Sequence, residues 1–207
     1  FQESSDFKVS DIEIDIINNF TNFYLRFDGK KEKFFINGAS RHSPLNAALS
    51  VATAIYCGCP LSDIEERLKF IDLPERRLAI SNSLRGSILI DDSYNSNPAS
   101  LKNAVDSLEG LKRKKICVLG DMKELGSDSQ KIHQEMYEYI SERVDHIFCI
   151  GDEWSTCSPN EKQDLSIFEN QDDLYSHLIS IIDKKTILLV KGSRSTRMDL
   201  LADKLKE

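Results

Sequence analysis

From about residue 77 onward, short apolar runs alternate with amphipathic stretches, and this alternation narrows the possible folds more than any other feature. Ile116-Cys117-Val118-Leu119 and Ile187-Leu188-Leu189-Val190 are apolar without a break. A strand with one wet face would alternate instead, so these runs must be covered on both faces, as parallel strands are in α/β sheets. Strands are predicted at 78–82, 86–91, 115–120, 145–150, 165–168 and 186–191. Helices are predicted at 98–110, 128–143, 171–183 and 195–206. Pro98 at a first helical position follows Asn97, a good cap. Ser127-Asp128-Ser129-Gln130 has the form of a second cap, ahead of a stripe of Ile132, Met136 and Ile140. The pattern predicts an α/β fold with a Rossmann-like, doubly wound, mostly parallel sheet.

The first third reads differently. FKVSDIEIDI, FTNFYLRFDG and KEKFFING alternate in hydropathy, with Asp28-Gly29 as a hairpin signal between the last two. They are expected as antiparallel strands at one side of a sheet. Two helices should follow. The first has Ser43 as cap, Pro44 at its first position, a stripe of Leu45, Ala48, Leu49, Ala52 and Ile55, and Gly58 at its end. The second opens on Ser62-Asp63-Ile64-Glu65 as a capping box. The charged stretch Asp72-Leu73-Pro74-Glu75-Arg76-Arg77 is the expected junction between domains 1–74 and 75–207.

Bulk properties exclude several functions. The 207 residues carry a formal charge of -7, which opposes a nucleic-acid partner, since phosphate binding needs a basic face. Lys112-Arg113-Lys114-Lys115 reads as a solvated turn. No run reaches the roughly 20 apolar residues of a membrane span. The N-terminus, FQESSDFKVS, has no signal-peptide pattern and no initiator Met, so the chain is expected to come from a longer one. Five cysteines form neither a disulfide framework nor a zinc set and are expected as reduced thiols of a cytoplasmic protein. A monomer is expected. There is no G-x-x-x-x-G-K-[ST] to cradle ATP phosphates and no G-x-G-x-x-G after a strand. No nucleophile-and-base set declares itself, so no catalytic residue is named.

What remains is concentrated at three strand ends, where open α/β sheets bind ligands. They read Asp91-Asp92-Ser93-Tyr94-Asn95-Ser96-Asn97, Gly120-Asp121-Met122-Lys123-Glu124-Leu125-Gly126, and Lys191-Gly192-Ser193-Arg194-Ser195. A carboxylate at such an end can accept from ribose hydroxyls; the alternative for one aspartate of the first pair is a turn former or a partner for a nearby Arg. Capping alone accounts for Asn97, but not for Asp91, Asp92, Tyr94 and Asn95 together. In the second, Asp121 could face the site while Glu124 supports the loop. In the third, cations, hydroxyls and a glycine ahead of a helix suit an anion, or equally a cap with two surface cations. His133 reads as structural.

Taken together and in this order, DDSYNSNPASL, VLGDMKELG with His133 downstream, and LLVKGSRSTRMD resemble the Mur ligases of peptidoglycan synthesis, and among them the MurF type. RHSPLNAALSVATAIYCG resembles a helix of that family's central domain, and LPERRL its P-G-R-L hinge. The resemblance implies that 1–74 is the tail of a central ATPase domain and 75–207 the C-terminal ligase domain. It implies an ATP-dependent ligase joining D-alanyl-D-alanine to a UDP-N-acetylmuramoyl-tripeptide through an acyl phosphate, serving cell wall biogenesis, cell shape and cell division. Asn46, Arg77 and Asp92 would contact ATP. Tyr94, Asn95, Asn97, Asp121, Lys191, Ser193 and Arg194 would face substrate. The Mg2+ ligands and the P-loop would lie upstream of Phe1, and no metal ligand is named here. A folylpolyglutamate-synthase-like ligase and a non-enzymatic Mur-like module are the alternatives. Two positions depart from the family: Ser43 replaces a common Asn, and Arg76 replaces the hinge glycine, where a Cβ resists positive φ.

Overall fold

The computed structural model describes residues 6–16, 18–39, 43–71, 75–159 and 165–207. Arg41, His42 and the Asp72-Leu73-Pro74 part of the expected junction lie outside them. The chain divides into two compact units, Phe1–Pro74 and Glu75–Glu207.

In the first unit, β1 (Lys8–Asp15), β2 (Phe20–Phe27) and β3 (Lys30–Asn37) form their own antiparallel sheet. The antiparallel pairing is as the alternating hydropathy predicted. Asp28 and Gly29 turn the hairpin with φ of 47° and 72°, the positive pair that matches strand twist. Phe23, Leu25 and Phe27 alternate along β2, so they share one face and pack with Phe34 and Ile36. Against them lie α1 (Ser43–Tyr56) and α2 (Leu61–Leu68), through Ala47, Ala48, Val51, Ile64 and Leu68.

Several expectations fail here. The buried face of α1 is Pro44, Ala47, Ala48 and Val51. The bulkier stripe points elsewhere: Leu49 is 71% exposed. Small residues let the helix lie close to a sheet face already filled by phenylalanines, and volume, not hydropathy, sets the rotation. The helix includes Ser43 itself. Pro60 caps α2 without any side-chain bond, and Ser62 instead donates to Asp63 at 3.2 Å, so the capping box does not form.

The second unit runs β4 (Ala79–Ser83), β5 (Ser87–Asp92), α3 (Pro98–Asp106), β6 (Lys114–Gly120), α4 (Ser129–Ser141), β7 (His146–Ile150), α5 (Asp152–Ser155), β8 (Leu165–Phe168), α6 (Gln171–Ile181), β9 (Thr186–Lys191) and α7 (Met198–Leu205). The sheet order is β4-β5-β9-β6-β7-β8, with only β4 antiparallel to its neighbour. Leu89, Ile116, Val118, Leu188 and Val190 meet α6 and α7 on one face. The alternate residues Ile90, Cys117, Leu119, Ile187 and Leu189, equally buried, face α3 and α4. The doubly wound α/β fold is therefore as the unbroken apolar runs required.

Its helices are shorter than their sequence patterns. Ahead of α4, Gly126–Asp128 is a 3-10 turn, and Asp128 makes no capping bond with its side chain. Likewise Arg194–Thr196 is a 3-10 turn, and Arg197, at φ 52°, separates it from α7. Asn97 does cap α3: its side chain accepts from the Ser100 N–H, Ser100 answers to the Asn97 N–H, and Pro98 opens the helix. Cys117, Cys149 and Cys157 are buried free thiols, while Cys57 and Cys59 are exposed. Among the described residues no helix is long and apolar enough to cross a membrane.

Candidate functional site

Because β9 lies between β5 and β6, the three polar strand ends are neighbours. Ser193 ties them together. Its N–H donates to the Asp121 carbonyl at 3.0 Å, and its hydroxyl accepts from the Lys123 N–H at 2.8 Å and donates to the Ser96 carbonyl at 3.4 Å. Two glycines permit this closeness. A Cβ on Gly120 or Gly192 would come within 2.4 or 2.5 Å of the Thr196 hydroxyl.

Beneath the rim, Asp92 and Lys191 form a buried ion pair. Lys191 Nζ donates to Asp92 Oδ2 at 2.5 Å and to the Asn95 carbonyl at 2.8 Å, and its side chain is only 2% exposed. Asp92 Oδ1 accepts from the Leu78 N–H at 3.1 Å. Burial pushes the Asp92 carboxyl above its ordinary pKa, against the pull of the Lys191 ammonium. Burial likewise draws Lys191 below its ordinary value, with Asp92 opposing. Both oxygens of Asp92 and the head of Lys191 are thus engaged within the protein. Asp91, the other half of the acidic pair, is a turn former: its carboxylate accepts from the Ser93 N–H and hydroxyl and from Lys206.

Asp121 is buried too. It accepts from Lys123 Nζ at 2.9 Å and from the Trp154 N–H at 3.3 Å. The indole of Trp154 donates to the Gly120 carbonyl at 3.0 Å. Gly151 makes room, since a Cβ there would fall 2.1 Å from an Asp121 oxygen. His133 Nε2 accepts from the Met122 N–H at 3.1 Å, and Nδ1 lies 2.8 Å from the Ser129 carbonyl. Those bonds describe a neutral ring with its proton on Nδ1, held edge-on to Trp154. Its role is structural.

The exposed part of the rim has another character. The Arg77 guanidinium lies 4.6 Å from the centre of the Tyr94 ring and that of Arg194 lies 5.9 Å away. Among the described residues, neither arginine has a carboxylate partner. Tyr94, Asn95, Asn97, Arg77 and Arg194 are all exposed. Eight of the ten sequence-derived positions fall into three contact groups: Asp92, Lys191 and Asn95; Asp121 and Ser193, also joined through Lys123; and Tyr94 with Arg77 and Arg194. Asn97 spends its side chain on the α3 cap, and Asn46 belongs to the first unit, exposed on α1.

A family model described as "Mur ligase, glutamate ligase domain" matches residues 76–194. The chain belongs to the Mur ligase family. It is 32% identical over 80% of its length to the UDP-N-acetylmuramoyl-tripeptide–D-alanyl-D-alanine ligase of Haemophilus influenzae, covering 37% of that protein. It is 30% identical over 86% of its length to the enzyme of the same name from Bacillus subtilis, covering 41% of it. A crystal structure of MurF from Acinetobacter baumannii superposes with a TM-score of 0.85 at 30% identity, over 98% of this chain and 45% of that one. The chain thus spans less than half the length of these Mur ligases.

The matched stretch holds the first two turns and the third as far as Arg194. It also holds groups to which sequence reasoning gave no role: Trp154, Gly151, Lys123 and Ser96. One signal was present. Gly151-Asp152 ends an apolar strand as Gly120-Asp121 does, marking a fourth turn at the same edge.

Proposed function

We propose that the chain is the C-terminal part of a cytoplasmic, ATP-dependent ligase of peptidoglycan synthesis, adding D-alanyl-D-alanine to a UDP-N-acetylmuramoyl-tripeptide. Residues 1–74 would be the tail of the central ATPase domain, and 75–207 the C-terminal ligase domain. The named activity of the similar proteins from H. influenzae and B. subtilis supports the substrate pair. The observation that carries the reading is the two guanidiniums gathered at the Tyr94 ring, with no carboxylate partner among the described residues. Such a pair, at the carboxyl edge of a parallel sheet, suits an anionic, partly planar ligand.

When bound, ATP supplies the phosphoryl group that turns the substrate carboxylate into an acyl phosphate, from which the amine of D-alanyl-D-alanine displaces phosphate. This chain's residues would orient and neutralise. Arg77 and Arg194, both close to the Tyr94 ring, would face negative charge, and Asn95 would offer its amide at the same rim. Asp92, Lys191, Asp121 and Ser193 fix the turns, so that the donors need not reorganise as charge develops. Among the described residues no three acidic, histidine or cysteine groups gather to hold a metal, and no Mg2+ ligand is assigned.

The test is phosphate release by the full-length protein given ATP, UDP-tripeptide and D-alanyl-D-alanine. Turnover that requires the dipeptide is expected, with Arg194→Ala lowering it on the order of 100-fold, as loss of one charge-stabilising donor does. Residues 1–207 alone should release none. Turnover with folate and glutamate in place of the muramyl peptide would contradict the reading.

A further inference from the structure

Arg76 stands in the left-handed region at φ 59°, a conformation costly for a residue with a Cβ. Its guanidinium reaches α7, 2.9 Å from Asp203 Oδ2 and 3.7 Å from Asp199 Oδ2. Its carbonyl accepts the Tyr94 N–H at 3.1 Å. Two residues on, Leu78 is also left-handed, at φ 52°, and donates to Asp92. Between these anchors sits Arg77, stacked on Tyr94. We propose that Arg76 is a positioning residue whose ion pairs with α7 hold a left-handed turn, and that this turn sets Arg77 against Tyr94.

Three observations agree with this. The backbone bond to Tyr94 and the ion pairs to α7 leave from the same residue, so the turn is tied both to the rim and to α7. The hydrogen bond to Asp203 raises the Arg76 pKa, against the effect of burial. At Asp203, burial works to raise the pKa, but the bonds from Arg76 and Lys206 outweigh it and leave it lowered. Asp203 therefore stays ionised into mild acid. A carboxylate with a depressed pKa contributes stability above its unfolded value, and loses it only as pH falls through the folded one.

The inference uses the ligase reading only in treating Arg77 as a ligand contact, and the experiment needs no ligand. Native-state amide exchange is followed at Tyr94 and Leu78, with Leu188 and Leu189 in β9 as references for global opening. NMR of the Tyr94 ring reports the Arg77 stack. Arg76→Ala keeps the Cβ and loses both ion pairs, so Tyr94 and Leu78 should exchange roughly 5-fold faster or more, with a shifted ring signal and unchanged β9 references. Asp203→Ala should act in the same direction from the other side. Arg76→Gly, which adopts the turn freely, should restore protection and the ring signal. Wild-type exchange in both Arg76→Ala and Asp203→Ala, or Arg76→Gly opening as far as Arg76→Ala, overturns the proposal.

Discussion

At the scale of single residues, the least expected feature is how much of the polar chemistry is turned inward. Asp92 and Lys191 are consumed by each other, and their shifted pKa values imply a cost. Asp92, with its folded pKa raised, contributes stability that is full below its unfolded value near pH 4 and lost as pH rises through the folded value. Lys191, with its folded pKa lowered, contributes stability that is full above its unfolded value near pH 10 and lost as pH falls through the folded one. Burial is the largest cause of both shifts, so the pair carries a desolvation cost that its mutual attraction must offset. Denaturant unfolding should show this. Asp92→Asn or Lys191→Met alone should cost about 3–5 kcal/mol, by stranding a buried group, while the double variant should match wild type or exceed it. A second residue-scale prediction concerns Gly151. Gly151→Ala would drive a methyl into Asp121, so Trp154, the one tryptophan of the chain, should change its near-UV circular dichroism as its bond to Gly120 is displaced. An unaltered spectrum would show that the fourth turn does not brace the second.

At the scale of elements, legibility followed the period of the sequence. Unbroken apolar runs located β6 and β9 to within a residue, because a strand buried on both faces has no other way to be written. Asn97-Pro98 placed the start of α3 because its cap and first-turn chemistry agree. Expectations failed where two residue types could serve one position. Leu45, Leu49 and Ala52 were as periodic on α1 as Ala47, Ala48 and Val51, and hydropathy favoured the larger set. Close packing against Phe23, Leu25 and Phe34 favoured the smaller. The chain should therefore tolerate Leu49→Ser within about 0.5 kcal/mol, and lose about 2–5 kcal/mol on Leu68→Ala, measured by urea midpoints. The reverse ranking would restore the hydropathic stripe as core. The helices expected from 128 and 195 begin later, at Ser129 and Met198, behind 3-10 turns. What delays them is backbone conformation at Glu124, Gly126 and Arg197, which are left-handed and which composition does not encode.

At the scale of the whole molecule, the sheet order explains why distant segments meet. Inserting β9 between β5 and β6 puts a turn from near the end of the chain between two from its middle, and Ser193 then bonds to both. The polar content of these turns was visible in sequence. The division of labour within them was not, because burial separates the braces Asp92, Asp121, Lys191 and Ser193 from the exposed Arg77, Tyr94 and Arg194, and burial is a property of the assembled fold. The central claim is that one rim, built from three turns, receives the ligand. Amide exchange of the full-length protein with and without UDP-tripeptide and ATP tests it most directly. Protection should rise together at Ser93–Asn97, at Asp121–Leu125 and at Gly192–Ser195, and stay constant at the opposite edge, around Lys114 and Lys185. Protection at that opposite edge, or at only one of the three turns, would contradict it.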